Sequence, residues 1–307
     1  MTKVLVATDK PFAPVAVKGI RKVVENAGFE LALLESYTSQ DDFIKAVADA
    51  DAVIIRSDKA DKAVIDAGSK LKIIVRAGAG YDNIDLAAAT VKGVVAMNTP
   101  GQNSNAVAEL ALGMMVYYAR GFFNGKSGSE LMGKKLGIHA YGFVGKNVAR
   151  IAKGFGMEVY AFDPFIPREE IAKDGVKWVG TVEELYSTCN FISLHIPANS
   201  QTKQSINYAL LSKMPAPAAL VNTARAEVIN EADLLKMFQD RKDFAYLSDV
   251  EPTNKAEIEA NFKAKFFCTP KKSGAQTEEA NINAGIAAAQ QIVNFINNGD
   301  RTFQVNK

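Results

Sequence analysis

The stretch LGIHAYGFVGKNVARIAKGFGMEVYAFDP, residues 136–164, contains the pattern that decides the fold. An apolar run ends at His139, a turn with Gly142 and Gly145 follows, and a helical pattern leads to a second apolar run that ends at Asp163. Glycines at such a turn let the backbone approach a pyrophosphate, and the N-terminus of the following helix supplies N–H donors. The acid suits the hydroxyls of an adenosine ribose. The stretch therefore predicts a strand–turn–helix–strand unit that binds a dinucleotide.

The glycine loop departs from the usual pattern at one position. G-x-G-x-x-G expects a first glycine where this chain has Ala140. Alanine keeps the turn only if its φ is negative or the loop shifts slightly, because Cβ disfavours positive φ. Asp163 favours NAD over NADP, since a 2′-phosphate would meet a carboxylate and the first arginine after it is Arg168. A plain strand–turn–helix without a nucleotide is the alternative.

Length and composition describe an ordinary globular protein. The chain has 307 residues, enough for about two domains, with 48% hydrophobic residues, 23% charged residues and a net charge of +2. This balance argues against nucleic acid or a membrane as a partner, and no apolar run reaches the roughly 18 to 20 residues of a spanning helix. With no cleavable signal pattern at the start, we expect a cytoplasmic protein. Cys189 and Cys268 lack metal-type spacing, so no metal site is expected.

Short apolar runs alternate with helical patterns along the chain. KVLVAT, FELALLE, AVIIRS, KIIVRAG and VVAMN precede residue 100, and KKLGIHAY, EVYAFDP, CNFISLHIP, AALVNTAR, DFAYLSDV and KFFCTP follow it. Runs without polar alternation are typical of parallel strands covered on both faces. We therefore predict an α/β fold with two Rossmann-like open parallel sheets, a cleft between them, and the second domain inserted in the first.

Two long apolar helical patterns, residues 101–121 and 277–299, bracket the second series of strands. The chain is therefore expected to leave the first domain near Asn98 and to return near Ala280. This gives a discontinuous substrate-binding domain, residues 1–98 plus 281–307, and an NAD-binding domain of residues 99–280 that contains the glycine loop.

Two arginines follow predicted strands in the first domain. Arg56 and Ser57 lie in IIRSDK, and Arg76, Ala77 and Gly78 lie in VRAGAGYDNID. Ligands of open parallel sheets bind beyond the carboxyl ends of the strands, and the glycines would free backbone N–H groups for an anion. These five residues are predicted to bind the substrate. The alternative is that each arginine is a solvated charge after a strand.

Three successive strands of the second domain end in groups that suit acid–base chemistry. Arg225 follows AALVNT closely, Asp249 and Glu251 follow YLS, and Lys271 follows FFCTP. Because parallel strands end at one edge of a sheet, a guanidinium, carboxylates and an amine are expected to converge beside the nucleotide.

Several motifs, taken together with the glycine loop and Asp163, resemble the D-2-hydroxyacid dehydrogenase family. They are RAGAGYDNID, NTPGQNSNAVAELALG, SLHIPANSQT, NTARAEVINEADL and TP followed by GAQTEEA, in the family's usual order across nearly the whole chain. Within the family they most resemble the short D-3-phosphoglycerate dehydrogenases. The resemblance implies NAD-dependent oxidation of D-3-phosphoglycerate to 3-phosphohydroxypyruvate, the first step of the phosphorylated pathway of serine biosynthesis. It also implies a homodimer joined through the nucleotide domains by the helix from Asn103 to Arg120.

The resemblance implies three catalytic residues, one of them unusual. Arg225 matches the family's arginine for the substrate carboxylate and keto oxygen. Glu251 is a shifted match, in Asp249–Pro252, to the glutamate that holds the catalytic histidine. That histidine normally follows Thr-Pro, where this chain has Lys271. We predict that Lys271 is the acid/base, as in a similar subset of short phosphoglycerate dehydrogenases; the alternative is that it binds the substrate phosphate.

The glycine loop and the resemblance together assign the remaining site residues. The cofactor is expected to contact Tyr141, Gly142, Phe143, Val144, Gly145, Asp163, His195, Pro197, Thr202, Thr223, Ala224, Asp249 and Gly274. Asp249 resembles the family's aspartate near the nicotinamide amide. Lys272 is predicted to bind the substrate phosphate or to be a surface charge, and His195 to be a packed or adenine-edge residue.

Two other functions are alternatives. One is a reductase for another 2-keto acid, such as glyoxylate, hydroxypyruvate or 2-oxoglutarate. The other is a non-catalytic NAD-sensing protein, which the missing histidine and the missing first loop glycine favour. Since the chain ends soon after the second long helix, no regulatory domain is expected.

Overall fold

The computed structural model describes residues 1–306 and divides the chain into two compact units. The first unit comprises Met1–Asn103 and the chain from Thr277 onward, and the second comprises Ser104–Gln276. The chain leaves the first unit after Asn103, five residues past Asn98 (103 − 98), and returns at Thr277, three residues before Ala280 (280 − 277). The second unit is therefore an insertion into the first.

The first unit is built on a five-stranded parallel sheet. Its strands are β1 (Lys3–Thr8), β2 (Glu30–Glu35), β3 (Ala52–Ile55), β4 (Ile73–Arg76) and β5 (Val95–Asn98), in the order β2-β1-β3-β4-β5. The strands inside the sheet are almost entirely buried, as expected for strands with helices on both faces, whereas the edge strand β2 is partly exposed. The order reverses between β1 and β3, where open α/β sheets form a crevice at the carboxyl ends of the strands.

Side-chain caps begin most helices of the first unit. These helices are α1 (Pro14–Asn26), α2 (Gln40–Val47), α3 (Lys62–Ala67) and α4 (Leu86–Lys92). The Ser39 hydroxyl accepts a hydrogen bond from Asp41 N–H at 3.2 Å and so caps α2. The carboxylates of Asp61 and Asp85 cap α3 and α4 in the same way, and each such cap stabilises its helix by about 1 kcal/mol.

The second unit contains a seven-stranded parallel sheet. Its strands are β6 (Lys135–His139), β7 (Glu158–Phe162), β8 (Lys177–Trp178), β9 (Phe191–Leu194), β10 (Ala218–Asn222), β11 (Phe244–Ser248) and β12 (Phe266–Cys268), in the order β12-β11-β10-β9-β6-β7-β8. The order reverses between β6 and β9, which is the dinucleotide crevice of a doubly wound sheet. The predicted class of two open parallel sheets is confirmed. The sequence analysis did not predict the short edge strand β8, because it contains no apolar run.

Helices cover both faces of the second sheet. They are α5 (Ser104–Ala119), α6 (Phe143–Gly154), α7 (Arg168–Lys173), α8 (Val182–Thr188), α9 (Tyr208–Leu211), α10 (Glu231–Asp240) and α11 (Lys255–Phe262). α5 buries Ala108, Ala111 and Leu112 in the same hydrophobic core as Val148 and Ala149 of α6. This core lies under the strands that carry the glycine loop.

The last helix, α12 (Glu278–Asn298), packs on α1 and completes the first unit. A Cβ atom at Gly19 would stand 2.6 Å from Ile286 Cδ1, and one at Gly285 would stand 3.0 Å from Ile20 Cδ1. Two glycines therefore allow the close contact of these helices. Of the helices in the described part of the chain, none is both long and apolar enough to cross a membrane.

Candidate functional site

The functional candidates of the second unit lie along one row at the carboxyl edge of its sheet. The last paired residues of six neighbouring strands are in register with one another: Cys268, Ser248, Asn222, Leu194, His139 and Phe162. One residue further along are Thr269, Asp249, Thr223, His195, Ala140 and Asp163. Most of these residues continue the hydrogen bonding between the strands. For example, Asp249 N–H donates to Asn222 O and His195 N–H donates to His139 O, both at 2.9 Å.

The three predicted catalytic residues follow the ends of three neighbouring strands. Arg225, Glu251 and Lys271 each lie three residues beyond a registered strand end (222 + 3, 248 + 3, 268 + 3). Their strands β10, β11 and β12 are direct neighbours, and neighbouring strands are about 4.8 Å apart. All three residues are exposed. The three residues therefore lie in the turns that follow three neighbouring strands at one side of the sheet, and their convergence on one site stays a prediction.

Buried polar groups fix the turn that carries Arg225. The Asn222 side chain donates to Arg225 O at 3.0 Å and accepts from Ala224 N–H at 3.0 Å. It also donates to Tyr246 Oη at 3.1 Å, and both side chains are fully buried. The neighbouring Thr223 is 7% exposed, and its hydroxyl has no hydrogen-bond partner among residues 1–306. A buried hydroxyl in this state is suited to a ligand.

Glu251 has an ion-pair partner four residues later, at the start of α11. Its carboxylate lies 3.1 Å from Lys255 Nζ, and the Glu251 side chain is 60% exposed. An exposed pair of this kind contributes only about 0 to 1 kcal/mol. The carboxylate is therefore held weakly.

The glycine loop keeps its shape in spite of Ala140. This residue has φ +79°, so the expectation of a negative φ is wrong. The loop holds the left-handed conformation because Ala140 N–H pairs with Phe162 O at 2.9 Å, which fixes the backbone there. Gly145 is required where it stands, since a Cβ would lie 2.4 Å from Ala140 O.

Replacing Ala140 with glycine is expected to stabilise the protein. A left-handed alanine costs about 1 to 2 kcal/mol, and glycine removes this cost while losing about 0.5 to 1 kcal/mol through the entropy of the unfolded chain. We expect a net gain of about 0.5 to 1 kcal/mol in the free energy of unfolding, measured by urea denaturation. The matched control is Ala48→Gly, where φ is −55° and the same change should destabilise. Equal losses in both variants would contradict the strain at Ala140.

Asp163 holds the turn that precedes α6. One carboxylate oxygen accepts from Tyr141 N–H at 2.8 Å, and the other accepts from Phe165 N–H at 2.8 Å. The Tyr141 side chain is fully buried, and its hydroxyl donates to Asp174 at 2.9 Å. Tyr141 can therefore meet a cofactor only through its backbone, while Gly142 and Phe143 are exposed at the start of α6.

The two histidines lie at the ends of β6 and β9 and are uncharged at neutral pH. Burial lowers the pKa of His139 to about 4 against the opposing effect of Asp163, and burial together with the nearby His139 lowers the pKa of His195 to about 3. Nδ1 of His139 lies 3.3 Å from Tyr186 Oη, and Nε2 of His195 lies 3.0 Å from Ser193 Oγ. Neither histidine is placed to exchange protons near pH 7.

These pKa values predict a loss of stability in mild acid. Between pH 6.5 and about 4 the histidines bind protons in the unfolded chain but stay neutral in the folded protein. The free energy of unfolding therefore falls as the pH falls below 6.5. The loss is about 2 kcal/mol per histidine between pH 6.5 and 5. Urea denaturation of His139→Gln, His195→Gln and the double variant should show a shallower pH dependence than the wild type. An unchanged slope in the double variant would refute this origin.

The turn after β9 contains the predicted cofactor-binding residues His195, Pro197 and Thr202. The Thr202 hydroxyl donates to Pro197 O at 2.5 Å and accepts from Asn199 N–H at 2.9 Å. Thr202 therefore closes the turn after His195. Across residues 1–306, no group of three or more His, Cys, Asp or Glu side chains is arranged to hold a metal ion.

In the first unit, Arg56 is held by its own chain. Its guanidinium donates to Lys10 O at 2.9 Å, Pro11 O at 3.1 Å and Asn281 Oδ1 at 2.8 Å. Burial lowers its pKa. The interpretation of Arg56 as a solvated charge is wrong, because the guanidinium joins the β1–α1 loop to α12. Sequence reasoning missed this structural role, since its partners are backbone carbonyls and a residue far along the chain.

The predicted nest of amides after β4 is wrong for Ala77 and Gly78. Ala77 N–H donates to Ile55 O at 2.8 Å, because pairing with β3 continues past the strand end. Gly78 N–H donates within its own turn, to Arg76 O at 2.9 Å. The Arg76 side chain folds back over Gly78, where a Cβ would lie 1.4 Å from its Nη1. Gly78 is thus required by the arginine beside it, while Ser57 stays exposed after β3.

Comparisons with known proteins agree with this arrangement. The profile of the D-isomer specific 2-hydroxyacid dehydrogenase NAD binding domain matches residues 116–270. The crystal structure of a cofactor (NAD+)-bound 3-phosphoglycerate dehydrogenase from Entamoeba histolytica is 50% identical, with a TM-score of 0.86 over 100% of this chain and 99% of that one.

Two relatives of different length also match. D-3-phosphoglycerate dehydrogenase of Methanocaldococcus jannaschii is 35% identical over 285 residues, 88% of this chain and 54% of that protein. Hydroxypyruvate reductase of Thermotoga maritima is 34% identical over 281 residues, 86% of this chain and 90% of that protein. The chain thus spans about half the length of several D-3-phosphoglycerate dehydrogenases that it matches.

Proposed function

The chain belongs to the D-isomer specific 2-hydroxyacid dehydrogenases, and from this premise we propose that it oxidises D-3-phosphoglycerate to 3-phosphohydroxypyruvate with NAD. The observation that carries the proposal is that Arg225, Glu251 and Lys271 follow the registered ends of three neighbouring strands in the sheet that bears the glycine loop. The 50% identity to the 3-phosphoglycerate dehydrogenase of Entamoeba histolytica over the whole chain supports this substrate.

The second unit fits NAD. The close approach at Gly145 leaves the first turn of α6 open, and its N–H groups suit a pyrophosphate. The Asp163 carboxylate keeps further lone pairs for ribose hydroxyls, and the partnerless Thr223 hydroxyl offers a polar contact nearby. NAD would supply the acceptor for the hydride of the carbon that carries the substrate hydroxyl.

The residues of this chain supply binding and proton transfer. We assign the substrate carboxylate to Arg225, whose planar fork suits a bidentate pair. In oxidation the neutral Lys271 amine takes the hydroxyl proton, and in reduction the ammonium returns it. We assign to Glu251 the role of the family's glutamate; its carboxylate also pairs with Lys255.

Phosphate binding falls to the positive and polar groups that remain. In the second unit we assign it to Lys272. In the first unit, Ser57 and Arg76 remain candidates to bind a substrate anion, since Arg56 is engaged by its own chain. Arg76 has its pKa lowered by burial and by Arg56, so an anion there would relieve a buried positive charge.

The test is the oxidation of NADH with a set of 2-keto acids. We expect 3-phosphohydroxypyruvate to give the highest kcat/KM, above hydroxypyruvate, glyoxylate, pyruvate and 2-oxoglutarate. A preference for hydroxypyruvate would favour the reductase alternative, which the Thermotoga maritima relative supports through its similar length. NAD binding in calorimetry without turnover of any acid would favour the sensing alternative.

We also propose a cytoplasmic homodimer that serves serine biosynthesis. Phe123, Met132 and Phe155 near the end of α5 are 67%, 70% and 42% exposed, an apolar area that suits a subunit contact. Sedimentation velocity at micromolar concentration should show a dimer that Met132→Glu weakens, whereas Phe165→Glu, at another exposed phenylalanine, should not. A monomeric wild type would refute the dimer, and failure to restore growth of a strain lacking phosphoglycerate dehydrogenase would refute the pathway.

A further inference from the structure

One buried carboxylate holds both ends of the segment that carries the two lysines. Asp249, at the end of β11, is 2% exposed. Its Oδ1 accepts hydrogen bonds from the Thr269 hydroxyl at 2.8 Å and from Ser273 N–H at 2.8 Å. Its Oδ2 accepts from Gly274 N–H at 2.8 Å. The three donors flank Lys271 and Lys272 on either side.

The lysine segment is therefore closed into a compact turn. The Ser273 hydroxyl donates to Lys271 O at 2.7 Å, which fixes the backbone of the lysine itself. Asp249 is in turn held by the sheet, because its N–H donates to Asn222 O at 2.9 Å. The backbone of Lys271 is thus fixed to the strand that precedes Glu251, while its side chain stays exposed.

Gly274 shows how closely the turn approaches its support. A Cβ at this position would stand 2.9 Å from Asp249 Oδ2 and 3.4 Å from Val107 Cγ2 on α5. Any larger residue would push the amide away from the carboxylate. The contact between the turn and Asp249 therefore depends on glycine at this point.

A carboxylate suits this position better than a neutral group of the same shape. The Thr269 hydroxyl and Ser273 N–H donate to Oδ1 of Asp249, and Gly274 N–H donates to Oδ2. Both side-chain oxygens must therefore be acceptors. Asparagine has one acceptor oxygen, and its amide nitrogen would face an N–H or O–H donor. Charge-assisted hydrogen bonds are also shorter and stronger than neutral ones.

We propose that Asp249 is a positioning residue that sets the place of the Lys271 amine by clamping residues 269–274. The proposal rests on the proposed function in that Lys271 is the proton carrier. This positioning role differs from a contact between Asp249 and the nicotinamide amide. Positioning requires the donors of the turn, such as the Thr269 hydroxyl, as well as the Asp249 carboxylate.

Two variants break the clamp from opposite sides. Asp249→Asn alters the acceptor, whereas Thr269→Val removes one donor and leaves the carboxylate intact for any cofactor contact. The matched control is Thr253→Val, since the Thr253 hydroxyl donates to Glu231 in a neighbouring loop. In the unliganded protein we expect tryptic cleavage after Lys271 and Lys272, and hydrogen exchange at Gly274 N–H, to rise about tenfold or more in both clamp variants but not in the control.

The kinetic readout separates positioning from cofactor binding. Both clamp variants should lower kcat about tenfold or more with little change in the Kd of NADH, while the control keeps the wild-type kcat. Unchanged cleavage and exchange in both variants would overturn the clamp. An effect on kcat in Asp249→Asn alone would overturn positioning in favour of direct cofactor contact. A wild type inactive with every 2-keto acid would refute the proposed function, and the proteolysis and exchange would still test the clamp.

Discussion

Lys271→Ala is expected to lower the kcat for reduction of 3-phosphohydroxypyruvate by NADH by about 10²- to 10⁴-fold, with little change in KM. Lys271 lies three residues past the end of β12, beside Arg225 and Glu251 on the neighbouring strands. Both histidines are uncharged near pH 7. They lie at the carboxyl ends of β6 and β9, which are separated from β12 by β10 and β11. Removing the amine therefore removes the proton carrier at this corner and leaves binding groups in place.

Lys272→Ala is the matched control for this experiment. It removes an adjacent positive charge of the same kind, so it should act mainly on the KM of a phosphorylated substrate. Rates across pH 6 to 10 should show a dependence on pH in the wild type that Lys271→Ala loses. Lys271→His should recover part of the rate, since imidazole is the group that the family normally has after Thr-Pro. A rise in KM alone in Lys271→Ala would make Lys271 an anion clamp instead.

Much of the site follows from strand ends in the sequence. The apolar runs that end at His139, Asn222, Ser248 and Cys268 each end a strand of one parallel sheet. Because parallel strands begin and end together, residues at equal distances past those runs meet at one edge. This is why the sequence predicts that Arg225 and Lys271 follow strands of the same sheet edge, although the two residues are distant along the chain.

The rest of the site depends on contacts that no local pattern encodes. Arg56 bonds to two carbonyls and to Asn281, a residue 225 positions away along the chain. The Ala77 amide is taken by Ile55 because β3 and β4 pair for one residue longer than the apolar run indicates. Ala140 holds a positive φ because sheet pairing outweighs the preference of a single alanine. Tertiary hydrogen bonds decide each case.

Arg225→Ala is expected to lower kcat/KM for 3-phosphohydroxypyruvate by about 10²- to 10⁴-fold through loss of the carboxylate contact and of charge stabilisation at the keto oxygen. Arg225 stands exposed at the sheet edge, and Asn222 fixes its backbone through hydrogen bonds to Arg225 O and from Ala224 N–H, both at 3.0 Å. The guanidinium is therefore presented from a rigid turn. Rigid placement is what makes a bidentate contact effective in the transition state.

Arg225→Lys keeps the charge and tests the fork separately. An ammonium cannot form two parallel hydrogen bonds to a carboxylate, so this variant should recover only part of the kcat/KM lost in Arg225→Ala. NADH binding, followed by fluorescence, should be the same in both variants, because the glycine loop and Asp163 lie on other strands of the sheet. Added guanidinium should raise the rate of Arg225→Ala and not that of Lys271→Ala. A kcat/KM within about tenfold of the wild type in Arg225→Ala would place the carboxylate contact on another residue, since the loss of a charge-assisted pair exceeds that amount.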